Sequence, residues 1–477
     1  MKSLIRKITP AFLIIFYHFI LAKTAAFFYG YPSRNMIVVG ITGTGGKSST
    51  VYLLAKLLEA AGLKVGVTST IFFKIGGWEK LNDKKMTMLG RFATQKFLRR
   101  MARANCQIAI IETTSQGIEQ FRHLNIDYDI IVLTNLYPEH IEAHAGFANY
   151  QAAKGKLFAA LSKTYHKKFA PPKTIIVNGD DEHAQYFLNF WAEKKIVFGL
   201  NKKEYFGAVG TVGAAGAVGA VDAEAIAVGV ENIIAENPRE EGTGISFKVT
   251  GEEFSLSLLG KFNIYNSLAA ISAALSIGLP ISKIKFASSA MKNIPGRQEF
   301  IEAGQNFKVL VDYAFEPKAM AGLYETIKKI PHQKIIHVLG STGGGRDKAR
   351  RPELGRLAGM NADFVFITDE DPYDEDPMEI INQVAKGVEA SAIAGAGAAG
   401  AGAHTNVVAG AAGKKEGVNL FKILDRREAI DKAIALAKEG DLVLITGKGS
   451  EQAMCVAGEK KIPWDDRDVA REAIAKR

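Results

Sequence analysis

Residues 40–50 read GITGTGGKSST and directly follow the apolar residues MIVV at 36–39. A glycine-rich turn between a buried strand and a helix allows backbone N–H groups to point at a polyphosphate at the helix N-terminus. Lys47 is expected to reach the β- and γ-phosphates of ATP, and Ser48 is expected to bind Mg²⁺. The predicted phosphate-binding residues are Gly43, Thr44, Gly45, Gly46, Lys47, Ser48 and Ser49.

Strand and helix patterns alternate along the chain from this loop onward. Short runs rich in Val and Ile lie at residues 64–70, 108–114, 130–136 and 174–181, with helical stretches between several of them. A second series of the same kind begins near residue 306. Such alternation predicts an α/β fold in which helices cover parallel sheets. We expect a central parallel-sheet domain of the P-loop ATPase type, a Rossmann-like C-terminal α/β domain and a short apolar N-terminal helix.

The chain length and one hinge-like segment indicate where the domains divide. A chain of 477 residues is too long for one hydrophobic core and predicts two or three domains. The residues IPGR at 294–297 lie between the two α/β series and have the composition of a hinge. The expected divisions are an apolar segment at 1–35, a central ATP-binding domain at 36–296 and a C-terminal domain at 297–477.

Charge and cysteine content narrow the class of protein. The net charge is +10, but no basic stripe interleaved with aromatic residues is evident, so nucleic acid is not expected as a partner. A phosphate-rich substrate and an anionic lipid surface both remain open. The two cysteines lie in no zinc-binding pattern, which predicts neither a disulfide framework nor a structural zinc and fits a reducing cytoplasm.

Two stretches of low complexity interrupt the α/β pattern. Residues 207–221 and 391–413 consist mostly of Ala and Gly. Small side chains bury too little area to offset the entropy lost when the backbone is ordered. Both stretches are therefore expected to be flexible surface insertions.

Residues 9–31 form an apolar segment that could lie at a membrane or in the protein core. They read TPAFLIIFYHFILAKTAAFFYGY, and His18 and Lys23 interrupt the run, whereas a spanning helix needs about 20 mostly apolar residues. We expect a helix that lies in the membrane interface or packs on the body, at the inner face of the membrane. A buried core helix is the alternative. Basic residues that would favour an anionic leaflet are Lys2, Arg6, Lys7, Lys23 and Arg34.

Three chemically active residues follow the glycine loop. Glu112 ends one apolar strand, His140 follows the next, and Lys154 comes fourteen residues later. Because the carboxyl ends of parallel strands meet at one edge of a sheet, Glu112 and His140 are expected to converge on the phosphate loop. There they would support a second Mg²⁺ ion, although each alone is equally typical of a structural cap or loop residue.

The order of these motifs resembles that of the Mur ligases over about residues 36–455. The DYA, GGGRDKARRP, DP and GKGSE motifs are similar to the branch that adds the third amino acid of the peptidoglycan peptide. The matching stretches are GTGGKSS at 43–49, ETTS at 112–115, TNLYPEH at 134–140, YQAAK at 150–154, NGDD at 178–181, GKFNIYN at 260–266, GR at 296–297, DYA at 312–314, GGGRDKARRP at 343–352, DP at 371–372 and GKGSE at 447–451.

The resemblance implies a role for each matching residue. Lys47 serves the ATP phosphates, and Lys154 matches a lysine that CO₂ converts to a carbamate. The implied metal ligands are Ser48, Glu112, His140 and carbamylated Lys154, around two Mg²⁺ ions. The residues implied to hold the nucleotide, besides the loop, are Asn263, Arg297 and Asp312. Those implied to hold the muramoyl-peptide are Thr87, Thr114, Gln120 and Arg122. Those implied to hold the amino acid are Arg346, Glu370, Asp371, Pro372, Tyr373, Gly447 and Glu451.

The implied activity is an ATP-dependent, ADP-forming amide ligation in the cytoplasm. A muramoyl-dipeptide would be activated as an acyl-phosphate and joined to L-lysine or meso-diaminopimelate during peptidoglycan synthesis. A folylpolyglutamate-type ligase with the same chemistry is one alternative. A non-catalytic ATP-binding partner of another ligase is the other.

Departures from the family pattern bear on the substrate. The glycine loop begins at residue 40, which leaves too little preceding chain for the family's N-terminal UDP-binding domain. Tyr373 stands where the family has an arginine that grips the distal carboxylate of meso-diaminopimelate, and a phenol cannot replace that bidentate cation. Phe315 replaces a histidine and Gly345 an aspartate. Tyr373 favours L-lysine as the amino acid. The acidic residues around it, which would attract a side-chain ammonium, point the same way, namely Asp369, Glu370, Asp371, Asp374, Glu375 and Asp376.

Overall fold

Parallel strands form most of both large sheets in the computed structural model. It describes residues 10–139, 144–203, 205, 229–289, 291–345, 348–398, 413–458 and 460–477. The helices are α1 (Ala11–Tyr29), α2 (Lys47–Ala60), α3 (Arg91–Arg103), α4 (Ser115–Glu119), α5 (Phe147–Leu161), α6 (Ala184–Leu188), α7 (Phe262–Ser276), α8 (Ile281–Ser289), α9 (Pro317–Ile327), α10 (Arg350–Asn361), α11 (Pro377–Ala398), α12 (Arg426–Leu436) and α13 (Asp466–Ala475), with a 3₁₀ turn at Pro32–Asn35.

The first sheet has nine strands in the order β4-β3-β2-β5-β1-β6-β7-β8-β9. Every neighbouring pair is parallel except β2–β3 and β3–β4. Its strands are β1 (Ile37–Thr42), β2 (Val65–Thr68), β3 (Phe72–Ile75), β4 (Trp78–Leu81), β5 (Ile108–Glu112), β6 (Ile130–Leu133), β7 (Thr174–Asn178), β8 (Lys194–Gly199) and β9 (Val230–Ile234). Strand β1 lies between β5 and β6, so the loop after β1 opens at the centre of the carboxyl edge.

Hydrophobic cores cover both faces of this sheet. Val39 and Ile41 point into one core, which includes side chains of α2 and α7. Met36 and Val38 point into the other core, which includes side chains of α3, α5 and α6. Because β1 is apolar on both faces, it can only be a central strand, and this confirms the predicted sheet of the ATPase type.

The second large sheet has six strands in the order β13-β14-β18-β15-β16-β17. Helices α9, α10 and α11 contribute to the core on one face, and α12 and α13 to the core on the other. The strands are β13 (Glu299–Phe300), β14 (Lys308–Asp312), β15 (Ile335–Leu339), β16 (Phe364–Ile367), β17 (Leu420–Lys422) and β18 (Leu442–Thr446). This confirms the predicted second α/β unit, whereas the exact domain divisions stay a prediction.

Smaller sheets were not anticipated from the sequence pattern. A three-stranded antiparallel sheet joins β10 (Glu236–Glu241), β11 (Gly244–Val249) and β12 (Glu252–Leu256). A hairpin joins β19 (Ala453–Val456) to β20 (Lys460–Pro463). Phe247 and Phe254 of the antiparallel sheet stack at 5.6 Å and complete the core beneath α7.

Helix α11 corrects one prediction. It runs to Ala398, so residues 391–398 of the predicted flexible insertion are helical. The reason is that Ala has the highest helix propensity and can extend a helix already anchored by the apolar residues of its first turns. Residues 399–412 and the predicted insertion at 207–221 lie outside the described part of the chain.

Helix α1 is attached to the body by one narrow face. Ala22, Ala25 and Ala26 are buried, and the helix packs against α3. Only 17% of the window Phe12–Tyr29 is buried, which argues against a core helix, and the same window is long and apolar enough to cross a membrane. Large exposed side chains cover the rest of the helix, namely Phe12, Leu13, Ile15, Phe16, Tyr17, Ile20, Phe27 and Phe28.

Candidate active site

Glycine is required at two points of the loop between β1 and α2. Gly43 has φ of 150°, and a Cβ there would lie 1.9 Å from Oγ1 of Thr134. Gly46 has φ of 77°, and a Cβ there would lie 2.2 Å from Oδ1 of Asn266. No other residue type fits either position without rearrangement, so the loop keeps the narrow turn that a phosphate site needs.

Two residues after β6 hold the loop in shape. The backbone N–H of Thr44 donates to the carbonyl of Asn135 at 3.0 Å, and that of Gly45 donates to Oδ1 of Asn135 at 2.8 Å. The hydroxyl of Thr134 donates to the carbonyl of Gly45 at 2.6 Å. In the sequence, Thr134 and Asn135 are only part of a motif. In the structure, their hydrogen bonds preorganise the loop.

Lys47 folds back over the loop that precedes it. Its Nζ donates to the carbonyls of Gly43 at 3.0 Å and Thr44 at 2.6 Å. The ammonium therefore lies above the loop, where the phosphates of a bound nucleotide would lie. Ser48 and Ser49 follow at the start of α2, and both are largely buried.

Ser48 and Glu112 meet as the sequence predicts. The Ser48 hydroxyl donates to Oε1 of Glu112 at 2.9 Å. Thr70 binds the same carboxylate through its N–H at 2.8 Å and its hydroxyl at 3.0 Å, and it shares a 2.8 Å hydrogen bond with Thr87. A hydroxyl beside a buried carboxylate provides the hard oxygen ligands that Mg²⁺ prefers. His140, the third predicted ligand, lies outside the described residues.

Lys154 reaches the same loop from α5. Its Nζ donates to the carbonyl of Gly43 at 2.8 Å and lies 4.5 Å from the ring centre of Tyr150. Burial, and then the nearby charge of Lys47, lower the pKa of Lys154 well below that of a free lysine, against a weaker opposing effect of Glu139. Burial therefore favours the neutral amine of Lys154 over its charged form.

His144 is a neighbour that sequence reasoning missed. Its Nε2 shares a 3.0 Å hydrogen bond with the hydroxyl of Ser115, and its ring lies 5.2 Å from that of Tyr150. Its Nδ1 is 3.5 Å from the carboxylate of Glu119. The available signal was its spacing in the sequence, four residues after His140.

The predicted nucleotide residues divide into two places. Asn263 accepts a hydrogen bond from Asn266 at 2.9 Å, and Asn266 lies against Gly46. Arg297 stacks 4.1 Å from the ring centre of Tyr313, in the second α/β unit. Asp312 accepts from the N–H groups of Gln298 and Ala314 at 2.7 Å each. Burial raises the pKa of Asp312, which the charge of Arg297 partly opposes.

The predicted muramoyl-peptide residues are partly brought together. Gln120 accepts from Arg122 through Nε at 3.1 Å and Nη2 at 2.7 Å, so these two form one unit. Thr87 joins the phosphate-loop region through Thr70. Thr114 accepts from the N–H of Gly117 at 3.1 Å, so it also serves as the N-cap of α4.

Two predicted amino-acid-binding residues join a cluster of four charges. Lys448 lies 2.9 Å from Asp371 and 3.0 Å from Glu451. Lys85, from the loop after β4, contacts Asp371 and lies 2.8 Å from Glu451. Burial opposes ionisation of Glu451, but the charges of Lys448 and Lys85 outweigh it and lower its pKa to about 2. No sequence signal pointed to Lys85, which connects the two sheets.

The remaining predicted residues lie beside this cluster. Glu370 is buried, and its Oε2 occupies the space where Gly447, with φ of 107°, would carry a Cβ. Burial raises the pKa of Glu370, and the charge of Asp371 adds to the effect. The carbonyl of Pro372 packs against Gly343, and the ring of Tyr373 packs against Gly344. Arg346 lies outside the described residues.

Two family models together match most of the chain. The Mur ligase middle domain matches residues 41–274, and the Mur ligase glutamate ligase domain matches residues 296–449. The chain belongs to the Mur ligase family. This confirms the predicted family and the predicted class of reaction, because Mur ligases are ATP-dependent, ADP-forming amide ligases of peptidoglycan synthesis.

Similar proteins agree with the family. The chain is 35% identical to the UDP-N-acetylmuramyl-tripeptide synthetase of Roseiflexus sp. (strain RS-1), over 95% of the chain and 82% of the relative. It is 30% identical to the UDP-N-acetylmuramoyl-L-alanyl-D-glutamate–2,6-diaminopimelate ligase of Halalkalibacterium halodurans, over 96% of the chain and 82% of that relative. A solved structure of such a diaminopimelate ligase matches with a TM-score of 0.55 and 25% identity, over 92% of this chain and 78% of that one.

A fourth similarity concerns the fold alone. The folylpolyglutamate synthase of Mycobacterium tuberculosis, solved with ADP, matches with a TM-score of 0.63 at 14% identity, over 90% of this chain and 92% of that one. For a Mur ligase, ATP, Mg²⁺, a muramoyl-peptide, an amino acid and a cytoplasmic location are expected of the family as a whole.

Proposed function

We propose that this Mur ligase joins an amino acid to the terminal carboxylate of a muramoyl-dipeptide through an acyl-phosphate. The observation that carries the proposal is the convergence of Lys47, Glu112 and Lys154 on one phosphate-binding loop. Thr87, one of the predicted muramoyl-peptide residues, is linked to the same site through Thr70 and Glu112. The donor carboxylate and the γ-phosphate of ATP would therefore meet at the carboxyl edge of the first sheet.

The chain's own residues provide the charge that phosphoryl transfer needs. Lys47 neutralises the negative charge that gathers on the γ-phosphate while the donor carboxylate attacks it. Ser48 and Glu112 would hold Mg²⁺, which when bound adds further charge neutralisation at the phosphates. The carbonyls of Gly43 and Thr44 accept hydrogen bonds from Lys47 and hold its ammonium over the loop.

We propose that Lys154 carries a carbamate. The neutral amine attacks the carbon of CO₂, so that an N–C bond forms while one C=O π bond opens and its electron pair moves to oxygen. One proton leaves the nitrogen for solvent, and the amine becomes an anionic carbamate. The pKa of Lys154, lowered by burial and by Lys47, supports this step, because only the neutral amine is nucleophilic. The carbamate would turn an amine beside Lys47 into an anionic ligand for a second Mg²⁺ ion.

The second α/β unit would deliver the amine. Asp371 and Glu451, two of the predicted amino-acid residues, belong to the Lys85–Asp371–Lys448–Glu451 cluster, which bridges the two sheets. Closure across this cluster would bring the amine to the acyl-phosphate and exclude water, which would otherwise hydrolyse it.

Two alternatives are tested by one experiment. A folylpolyglutamate-type ligase is disfavoured by the GKGSE residues 447–451 and by Arg351-Pro352, and a non-catalytic partner is disfavoured by the retained Glu112, His140 and Lys154. Phosphate release should be measured with a panel of muramoyl-dipeptide and folate acceptors and of amino acids. Release with the dipeptide supports the proposal, release only with folate supports the first alternative, and no release with any acceptor supports the second.

We expect L-lysine to be incorporated in preference to meso-diaminopimelate. Tyr373 offers no cation to a distal carboxylate, and its neighbours Asp371, Asp374 and Glu375 are acidic. Asp371 is already neutralised by Lys85 and Lys448, and Glu375 by Arg351, so the argument rests mainly on Tyr373. Competing incorporation of the two amino acids into the dipeptide measures the preference, and a clear excess of meso-diaminopimelate would contradict it.

We also propose that residues 9–31 contact the membrane surface and that the donor is lipid-linked. The exposed aromatic side chains of α1 support this contact. In a flotation experiment, the intact chain should rise with anionic vesicles, whereas a chain beginning near Ser33 should not. Circular dichroism of the shortened chain is the control for folding, and equal behaviour of the two chains would refute the role of the segment.

A further inference from the structure

Helix α3 carries an unbalanced charge. Its sequence is RFATQKFLRRMAR, with five basic residues and no acidic one. Phe97, Leu98 and Met101 are buried in the core that also holds Met36 and Val38, while Lys96, Arg100 and Arg103 point outward. Among the described residues, no ion pair joins a basic residue of α3 to a carboxylate, so these cations are available to an external anion.

Helix α1 lies beside this basic helix and extends its surface. Tyr29 of α1 contacts Phe92 of α3 edge to face at 6.5 Å. Phe27 and Phe28 are 77% and 73% exposed, which is far more than packed aromatic residues show. Helix α1 has no acidic residue. The exposed residues of α1 and α3 together are called the α1–α3 face.

A tryptophan extends the α1–α3 face on the far side of α3. Trp78 of the edge strand β4 is 43% exposed and lies 5.4 Å from the guanidinium of Arg100. Tryptophan beside arginine is typical of the zone where lipid headgroups meet hydrocarbon. Exposed apolar side chains of α1, the cations of α3 and Trp78 are thus neighbours in that order.

We propose that the α1–α3 face binds the surface of an anionic lipid bilayer. The aromatic side chains of α1 would enter the headgroup boundary, and Lys96, Arg100 and Arg103 would contact anionic headgroups. The combination decides the occupant, because a nucleic acid would satisfy the cations but leave Phe27 and Phe28 in water. A neutral protein surface would cover Phe27 and Phe28 but leave the cations without a counter-charge.

This face also places the predicted donor site at the membrane. Arg91, at the N-terminus of α3, donates to the carbonyl of Gln120, which in turn binds Arg122. The side chain of Tyr17 on α1 is close enough to Arg91 to interact with its charge. A donor carried on a lipid would therefore reach these residues from the bilayer surface. This consequence rests on the ligase function proposed above. Vesicle binding does not depend on ligation; it extends the membrane contact proposed for residues 9–31 to the basic helix α3, which variants of α3 test separately.

The test is co-flotation of the full-length chain with vesicles. Phosphatidylcholine vesicles with phosphatidylglycerol should bind the chain, and pure phosphatidylcholine vesicles should bind it weakly. The triple variant K96E/R100E/R103E should lower the partition coefficient on the order of 100-fold or more, since each basic residue near the surface contributes roughly a fivefold factor. Added salt should weaken binding of the wild type.

A matched variant separates this face from net charge. K328E/K432E/K438E changes the charge by the same amount at exposed positions of the second α/β unit, away from α1 and α3. It should retain most of the binding. Equal losses in the two triple variants, or unchanged binding in K96E/R100E/R103E, would overturn the proposal, and so would binding to RNA or DNA that anionic vesicles fail to displace.

Folding and activity are measured on the same samples. K96A/R100A/R103A should bind less than the wild type and more than the glutamate variant, with an unchanged circular dichroism spectrum. If vesicles bind through this face but no amino acid is ligated, the ligase proposal is wrong and the membrane-binding proposal is supported. If ligation proceeds without vesicle binding, the membrane-binding proposal is wrong and the ligase proposal is supported.

Discussion

Replacing Lys47 with alanine is expected to lower ATP turnover by ~10³-fold or more while leaving the fold intact. The ammonium is held above the loop by the carbonyls of Gly43 and Thr44, where the γ-phosphate would develop charge. Its removal leaves that charge without its nearest protein cation. Phosphate release in the presence of the dipeptide and amino acid measures the effect.

The matched control for Lys47 lies on the same helix. Lys56 is in α2 but pairs with Glu59 and Glu79, away from the loop. Lys56→Ala should keep nearly all of the turnover, and both variants should melt cooperatively near the wild-type temperature. Wild-type turnover in Lys47→Ala would contradict the assignment of residues 43–49 as the phosphate-binding loop, and with it the proposed reaction.

Replacing Lys154 with alanine is expected to abolish ligation, and short-chain carboxylates such as acetate should restore part of it. The carbamate of Lys154 would supply an anionic ligand at the loop, and a small carboxylate fits the space that the truncated side chain leaves. Initial rates with and without added carboxylate measure the rescue. Full activity of Lys154→Ala would show that no carbamate is needed.

Two further arms tie this result to CO₂. Removing bicarbonate from the buffer should lower the wild-type rate, and restoring it should recover the rate. Lys156→Ala, two residues away and exposed, should respond like the wild type. Stimulation of Lys156→Ala by added carboxylate to the same extent as Lys154→Ala would count against carbamylation. A wild-type rate that does not depend on bicarbonate would also count against it.

Local patterns were enough to predict the position of the glycine-rich loop and the class of fold. The glycines at 43 and 46, the lysine at 47 and the flanking apolar strand act through short-range geometry, so their arrangement follows from spacing. The meeting of Ser48 with Glu112 also followed, because parallel strands place their carboxyl ends at one edge. The extension of α11 did not follow, because composition suggested flexibility where an anchored helix could propagate.

Partners distant in the chain were not predictable. Lys85 meets Asp371 only because two separate sheets approach each other, and nothing in the residues around Lys85 marks that contact. The role of Asn135 in holding Gly45 likewise depends on β6 lying beside β1.

The sequence by itself determined the α/β class, the phosphate loop and the family, because these depend on periodicity, spacing and residue type within short windows. Tertiary structure alone decided which charges balance one another and which remain unpaired. It set the basic helix α3 beside the apolar helix α1, some sixty residues apart in sequence, and so made one surface from two unrelated segments. It also buried Lys154 against Gly43, and this burial lowers the pKa of its amine below that of an exposed lysine.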